Sequence, residues 1–177
     1  IATVINVIEP SPYRIDPPCP VFGICGGCQL QYISYEKQVS MKEEVLCDSL
    51  KRIAGIEMPL SQALTDKDYH YRRRGQFKIS PKGEIGFYKE GTRDVVPIDG
   101  CPLMLNEING FIKKLKDINI AGLKEIHISY GDSASALVKS RLRQDEAEGL
   151  LTDAGFSGIA FDNGASVGKD YIRLDLN

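Results

Sequence analysis

The chain has 177 residues, 42% of them hydrophobic, and its 22 basic and 24 acidic residues give a net charge of −2. This length allows one domain, or one domain plus a fragment, with a core that needs no disulfides for stability. The small net charge excludes binding to polyanions through overall charge, so any nucleic-acid site must be local. The sequence contains no signal-peptide pattern and no apolar run of membrane length. We therefore expect a cytoplasmic protein with no membrane partner and no obligate protein partner.

Residues 1–8 read as a strand already under way, and a proline-rich connector follows them at residues 10–18. Prolines leave few backbone N–H groups for a strand ladder, so the connector is expected to be stiff and irregular. Residues 171–177 also read as a strand that stops midway. These two ends predict that the sequence is part of a longer protein.

Three cysteines, Cys19, Cys25 and Cys28, lie within ten residues, and Cys101 follows far downstream. Four thiolates are soft ligands that suit Zn²⁺ or an iron–sulfur cluster. Only Cys25 and Cys28 form a Cys-x2-Cys pair, which favours a cluster over a zinc site built from two such pairs. Zinc remains an alternative, and so do disulfides, although the odd cysteine count fits disulfides poorly.

A helix is predicted from Ser34, as N-cap, to Gly55, as C-cap. Its apolar stripe predicts packing against the core. Cys47 falls inside this helix, and we interpret it as a packing thiol without a function. The stripe consists of Val39, Leu46, Leu50 and Ile53.

From residue 70 the hydrophobic period changes to two and predicts a meander of strands that ends at Cys101. Short turns between neighbouring strands imply antiparallel pairing, so we predict an α+β fold in which helices pack on one face of antiparallel sheet. The cysteine-rich, cluster-binding loop precedes this sheet. The predicted strands span 71–80, 84–89, 93–98, 123–130, 134–140, 158–162 and 169–176, and the predicted helices span 103–117 and 144–154.

The first of these strands lies in the most basic part of the chain, since residues 67–93 contain eight basic and three acidic residues. Strand alternation places Arg72, Arg74, Gln76 and Lys78 on one face. Arginine and lysine match phosphate oxygens, glutamine can read a base edge, and nearby aromatic rings can stack on bases. This pattern predicts an RNA-facing surface, with a merely solvated sheet face as the alternative. The rings available for stacking are Tyr71, Phe87 and Tyr88, whereas His70 and His127 are interpreted as packing or surface residues.

Three segments carry a resemblance to a known family: the run CQLQYISYEKQVSMK at 28–42, Tyr71–Arg74, and Asp99–Leu103. Their order and spacing resemble bacterial 23S ribosomal RNA (uracil-5-)-methyltransferases of the iron–sulfur type. Residues 11–14 resemble the linker that leaves the N-terminal TRAM domain of that family. The resemblance implies that residues 1–9 are the last strand of a TRAM-like β-barrel and that residues 10–177 are the central iron–sulfur and RNA-recognition domain.

The resemblance also implies a set of ligands and partners. Cys19, Cys25, Cys28 and Cys101 would hold a 4Fe-4S cluster with a structural, RNA-orienting role. The methyl donor would be S-adenosylmethionine, the partner ribosomal RNA, and the RNA-binding residues Arg72, Arg74, Gln76 and Lys78.

In that family a cysteine thiolate adds to C6 of uracil, C5 takes the methyl group, and a carboxylate removes the C5 proton. In that family those groups belong to a C-terminal methyl-donor domain, which we expect to lie outside this sequence, so we expect no catalytic residue here and no activity of the chain alone. Cys47 accordingly does not take the role of nucleophile. Two other functions stay open: a small iron–sulfur electron-transfer or sensor protein without RNA affinity, and a zinc-stabilised interaction module.

Overall fold

The computed structural model describes residues 4–169 and 171–174, which divide into two compact units. The first unit contains the described residues of 1–22 together with 28–66, and the second contains 23–27 with the described residues of 67–177. Within the described residues, none of the helices combines the length and hydrophobicity that a membrane crossing requires.

The first unit contains one helix, α1 (Tyr35–Ser49), which a π-helical turn (Leu50–Ala54) continues. Ser34 precedes the helix and Gly55 ends it with a φ of 66°, a left-handed conformation that glycine adopts without strain. The predicted boundaries at Ser34 and Gly55 are therefore confirmed. The predicted core packing is wrong, because no residue of α1 is buried and Ile53 in the turn is 87% exposed.

The predicted strand at residues 1–8 falls partly outside the described residues. Residues 4–9 are exposed and form no strand within the described part of the chain. The assignment of residues 1–9 to a TRAM-like barrel stays a prediction.

The second unit is built on a seven-stranded sheet with the strand order β3-β2-β1-β4-β5-β6-β7. All neighbouring strands are antiparallel except β5 and β6, which are parallel. The fold is therefore mixed, and the expected all-antiparallel pairing is wrong at β5 and β6 because a helix crosses over between them. The strands are β1 (Arg74–Ile79), β2 (Ile85–Tyr88), β3 (Val95–Pro97), β4 (Leu123–Tyr130), β5 (Ala134–Ser140), β6 (Gly158–Phe161) and β7 (Ser166–Gly168), and the helices are α2 (Asn106–Lys116) and α3 (Gln144–Asp153).

The last predicted strand is misplaced. The turn at residues 162–165 is tight, so the chain returns at once and β7 pairs with β6 from Ser166 to Gly168. The predicted range 169–176 lies after this strand, and residues 170 and 175–176 of that range are outside the described residues.

One face of the sheet forms the core with the two helices. Strand alternation turns most of the buried apolar side chains of β1, β4, β5 and β6 to this face, and the helices cover them. Phe111 of α2 and Phe156, which follows α3, stack with ring centroids 4.5 Å apart, so both helices lie on the same side. Among the described residues of the second unit, no helix packs on the opposite face of the sheet. The buried set includes Phe77, Ile126, Ile128, Val138 and Ile159 from the sheet and Ile108, Ile112, Leu115 and Leu151 from the helices.

Candidate nucleic-acid interface

The helix-free side of the sheet, which we call the open face, is polar. The register of β1 against β4 pairs Arg74 with Ser129, Gln76 with His127, and Lys78 with Glu125. These residues alternate with the buried Phe77 and its neighbours, so they project from the open face. The predicted alternation of Arg74, Gln76 and Lys78 is confirmed, whereas Arg72 lies just before the strand.

Two clefts lie against this part of the second unit. A cleft of about 840 Å³ crosses the open face, and a second of about 570 Å³ lies beside the start of β1. Arg72 and Arg74 line both clefts. Other residues that line the larger cleft are Gln76, His127, Ser135 and Lys169.

The arginines of this surface carry uncompensated charge. Arg72, Arg73 and Arg74 are exposed, and none of them takes part in an ion pair among the described residues. The backbone of Arg72 is fixed, since its N–H donates to the Leu103 carbonyl at 2.9 Å. Guanidinium groups on an ordered backbone, beside a cleft and without carboxylates, are suited to bind phosphate.

Glu125 lies at the centre of a hydrogen-bonded network on the same face. Its carboxylate is buried and accepts hydrogen bonds from Gln76 Nε2 at 2.6 Å, from Lys78 Nζ and from His127 Nε2. Lys139 Nζ is 3.4 Å from the same carboxylate. Burial alone raises the pKa of Glu125, but the hydrogen bonds from Lys78, His127 and Gln76 outweigh it and lower the pKa to about 2.

This network changes the roles that the sequence assigns to three residues. Lys78 is only 15% exposed and is paired with Glu125, so it is less available to phosphate than predicted. His127, interpreted from the sequence as a packing or surface residue, is partly exposed on this face, and its ring is also hydrogen-bonded to Glu125, which the sequence did not reveal. Glu125 and Lys139 were not predicted as site residues. The period of two in β4 places Glu125 and His127 on the same face of the strand, but only the long-range register of β4 with β1 and β5 reveals the network.

The lowered pKa of Glu125 makes a prediction about acid stability. A carboxylate with a depressed pKa contributes its full stabilisation above the ordinary pKa of about 4.5 and loses it as the pH falls toward 2. We expect wild type to exceed Glu125→Gln in unfolding free energy by at most about 3 kcal/mol at neutral pH. This gap should shrink between pH 4.5 and 2 in urea titrations. A gap that is constant with pH would contradict the pairing.

The four predicted cluster ligands are held as follows. The backbone of Cys25 forms an isolated antiparallel β-bridge with Lys89, just beyond β2. The N–H of Cys101 donates to Asn109 Oδ1 at 2.8 Å. Cys25 and Cys101 belong to the second unit, and Cys19 and Cys28 belong to the first. All four are partly buried, whereas Cys47 is exposed.

The donor chemistry of these thiols fits an iron–sulfur cluster. In the same cysteine-rich segment, the side chain of Gln31 is buried and its amide N and O have no hydrogen-bond partner among the described residues. Such an orphaned amide is what a bound group can satisfy. No three His, Cys, Asp or Glu side chains in the described part of the chain are arranged to hold a metal ion, so the cluster is not shown.

Comparison with known proteins gives the chain a family, although no protein-family model matches the sequence. An uncharacterized RNA methyltransferase of Aquifex aeolicus is 33% identical over 99% of this chain and 46% of its own length. The 23S rRNA (uracil(1939)-C(5))-methyltransferase RlmD of Alkalilimnicola ehrlichii is 33% identical over 90% of this chain and 39% of its own length. RlmD of Halomonas elongata is 31% identical over 98% of this chain and 38% of its own length.

A solved structure shares the fold. The tRNA (uracil-54, C5)-methyltransferase of Pyrococcus abyssi, in complex with S-adenosyl-L-homocysteine, matches with a TM-score of 0.67 and 24% identity over 97% of this chain and 46% of that protein. The chain thus spans less than half the length of the relatives described here. The resemblance found in the sequence is confirmed, and the chain belongs to the family of RNA methyltransferases that includes the 23S rRNA (uracil(1939)-C(5))-methyltransferase RlmD.

Proposed function

We propose that this chain is the RNA-recognition part of an S-adenosylmethionine-dependent RNA uracil-C5 methyltransferase that acts on ribosomal RNA. The observation that carries the proposal is the pair Arg72 and Arg74, which line both the cleft across the open face and the cleft beside the start of β1, without carboxylate partners among the described residues. Relatives named for uracil(1939) of 23S rRNA support the substrate class, and a neighbour that holds S-adenosyl-L-homocysteine supports the methyl donor.

The open face offers the two kinds of contact that single-stranded RNA needs. The arginines bind backbone phosphates through charge-assisted hydrogen bonds, which sets the position of the RNA but not its sequence. Exposed rings at Tyr71 and Tyr88 offer surfaces on which unpaired bases stack. Gln76 adds a hydrogen-bonding group on the same face of β1 as Arg74.

The proposal includes a 4Fe-4S cluster held by Cys19, Cys25, Cys28 and Cys101. Such a cluster, when bound, links distant segments of the chain through iron–thiolate bonds and takes no part in methyl transfer. The residues around two of these ligands already restrain the backbone. Asn109 bonds both the N–H and the carbonyl of Cys101, at 2.8 and 3.1 Å, and Gly26 next to Cys25 donates to Tyr88 O at 3.0 Å.

The domain assignment belongs to the same proposal. Residues 1–9 are the end of a TRAM-like barrel, residues 10–177 are the central domain, and the methyl-donor domain lies elsewhere in a longer, cytoplasmic parent protein. The chain alone then binds RNA but transfers no methyl group.

RNA binding by the arginines is tested with Arg74→Ala. We expect the affinity for single-stranded RNA to fall about tenfold. The slope of the logarithm of the binding constant against the logarithm of salt concentration should become shallower by about one, because one phosphate contact, and with it one released counterion, is lost. Fluorescence polarisation across a salt series measures both. Arg143→Ala is the matched control, since Arg143 is an exposed arginine at the start of α3 and is paired with Asp145. Equal losses in the two variants would contradict the proposal.

A further inference from the structure

The Glu125 network on the open face has no role in phosphate binding. The buried carboxylate of Glu125 repels phosphate. It also forms an ion pair with the ammonium group of Lys78, which is then less available to bind phosphate. Glu125 and Lys78 offset each other's charge, so Gln76, Lys78 and His127 form a hydrogen-bonding surface around the carboxylate beside the unpaired charges of Arg72 and Arg74. Lys139, 3.4 Å from the carboxylate, adds one positive charge to this network. The open face thus has a part suited to phosphate and a part suited to an uncharged group.

We propose that Glu125 is a positioning residue that fixes the side-chain amide of Gln76 to bind the edge of one unpaired RNA base. The inference rests on the proposed RNA binding and deepens it, since it assigns the part of the open face around Glu125 to a nucleobase. The ligand class is a base that lies outside a duplex, because pairing occupies its Watson–Crick edge and the deep, narrow major groove of an RNA helix does not admit a flat sheet surface.

The carboxylate determines which way the amide of Gln76 points. An ionised carboxylate only accepts hydrogen bonds, so the amide must turn its Nε2 toward Glu125, as it does at 2.6 Å. The second N–H and the Oε1 of Gln76 are then left as an adjacent donor and acceptor. That pair matches the hydrogen-bonding edge of a base.

A stacking surface lies on the same face. Gly86 of β2 pairs with Lys78, and Tyr88 is two residues further along β2, so its side chain projects to the same side. The Tyr88 ring centroid is 5.3 Å from Lys78 Nζ, and the residue is 40% exposed, which leaves ring surface free for a base. The ion pair of Lys78 with Glu125 holds this lysine against the ring and so orders the platform.

The test compares two probes: a short single-stranded RNA and an abasic RNA of the same length. For wild type we expect tighter binding of the base-bearing probe. Glu125→Gln should weaken binding of that probe about tenfold and leave the abasic probe unchanged or bound more tightly, because Lys78 and Lys139 lose their counter-charge. Gln76→Ala should cause the same selective loss, and the double variant should lose no more than either single variant.

Glu107→Gln is the control, since it makes the same change of charge at an exposed position in the first turn of α2. Equal losses on both probes in Glu125→Gln would overturn the inference, as would tighter binding of both probes. Circular dichroism reports folding, and if Glu125→Gln does not fold, the probe selectivity of Gln76→Ala decides in the same way. Failure of the proposed function is distinct, because Arg74→Ala would then leave binding of both probes unchanged.

Discussion

Gly86→Ala is expected to destabilise the second unit by about 3 kcal/mol or more. A Cβ added at Gly86 would lie 1.9 Å from the carbonyl oxygen of Val96 and 2.7 Å from its carbonyl carbon. Both atoms belong to backbone, so β2 and β3 must separate to relieve the clash. Because Gly86 also pairs with Lys78, the displacement would reach the open face.

Urea unfolding followed by circular dichroism measures this effect, and Gly110→Ala provides the matched control. Nothing lies within 4 Å of a Cβ added at Gly110, which is in the middle of α2. Alanine there should stabilise the protein by up to about 1 kcal/mol, since it favours the helix over glycine. A loss below about 1 kcal/mol in Gly86→Ala would show that β2 and β3 are not paired as described.

Cys101→Ser is expected to abolish cluster binding in anaerobically purified protein. Serine is a poor ligand for iron–sulfur clusters, and cluster binding contributes to folding where the ligands come from distant parts of the chain. We expect the broad absorbance near about 400 nm to disappear and Tm to fall by about 10 °C.

Cys47→Ser is the control, because Cys47 is an exposed thiol on α1 and is not a proposed ligand. It should keep both the absorbance and Tm of wild type. A colourless wild-type protein with bound zinc would contradict the cluster, and an unchanged iron content in Cys101→Ser would remove Cys101 from the ligand set.

Local signals allowed much of the fold to be predicted. Ser34 and Gly55 mark the ends of the first helix, and α2 (Asn106–Lys116) lies within the predicted helix 103–117. Strands β4 and β5 match the predicted ranges 123–130 and 134–140. Apolar and polar residues alternate on both sides of a short polar turn, and this pattern determines where each strand begins and ends.

The misses depend on long-range structure. The apolar stripe of α1 has the spacing of a core helix, but burial requires a partner surface, and spacing does not reveal one. The parallel pairing of β5 and β6 follows from the path of α3 across the sheet, which strand patterns do not specify.

The candidate site was predicted only in part for the same reason. Alternation in β1 put Gln76 and Lys78 on one face, yet Glu125 lies in a strand about fifty residues away. Only the register of β1 against β4 makes these residues neighbours. That register turns part of a predicted RNA-facing row into a network around Glu125, next to Arg72 and Arg74, which form no ion pair among the described residues.

The central claim is that the parent protein methylates uracil C5 in ribosomal RNA and recognises that RNA through the open face. Its most direct test is the 5-methyluridine content of ribosomal RNA, measured by nucleoside mass spectrometry in a strain that lacks the parent gene. We predict the loss of at least one 5-methyluridine, restored by the wild-type gene and restored poorly by a gene that carries Arg74→Ala. Unchanged 5-methyluridine content in the deletion strain would contradict the account.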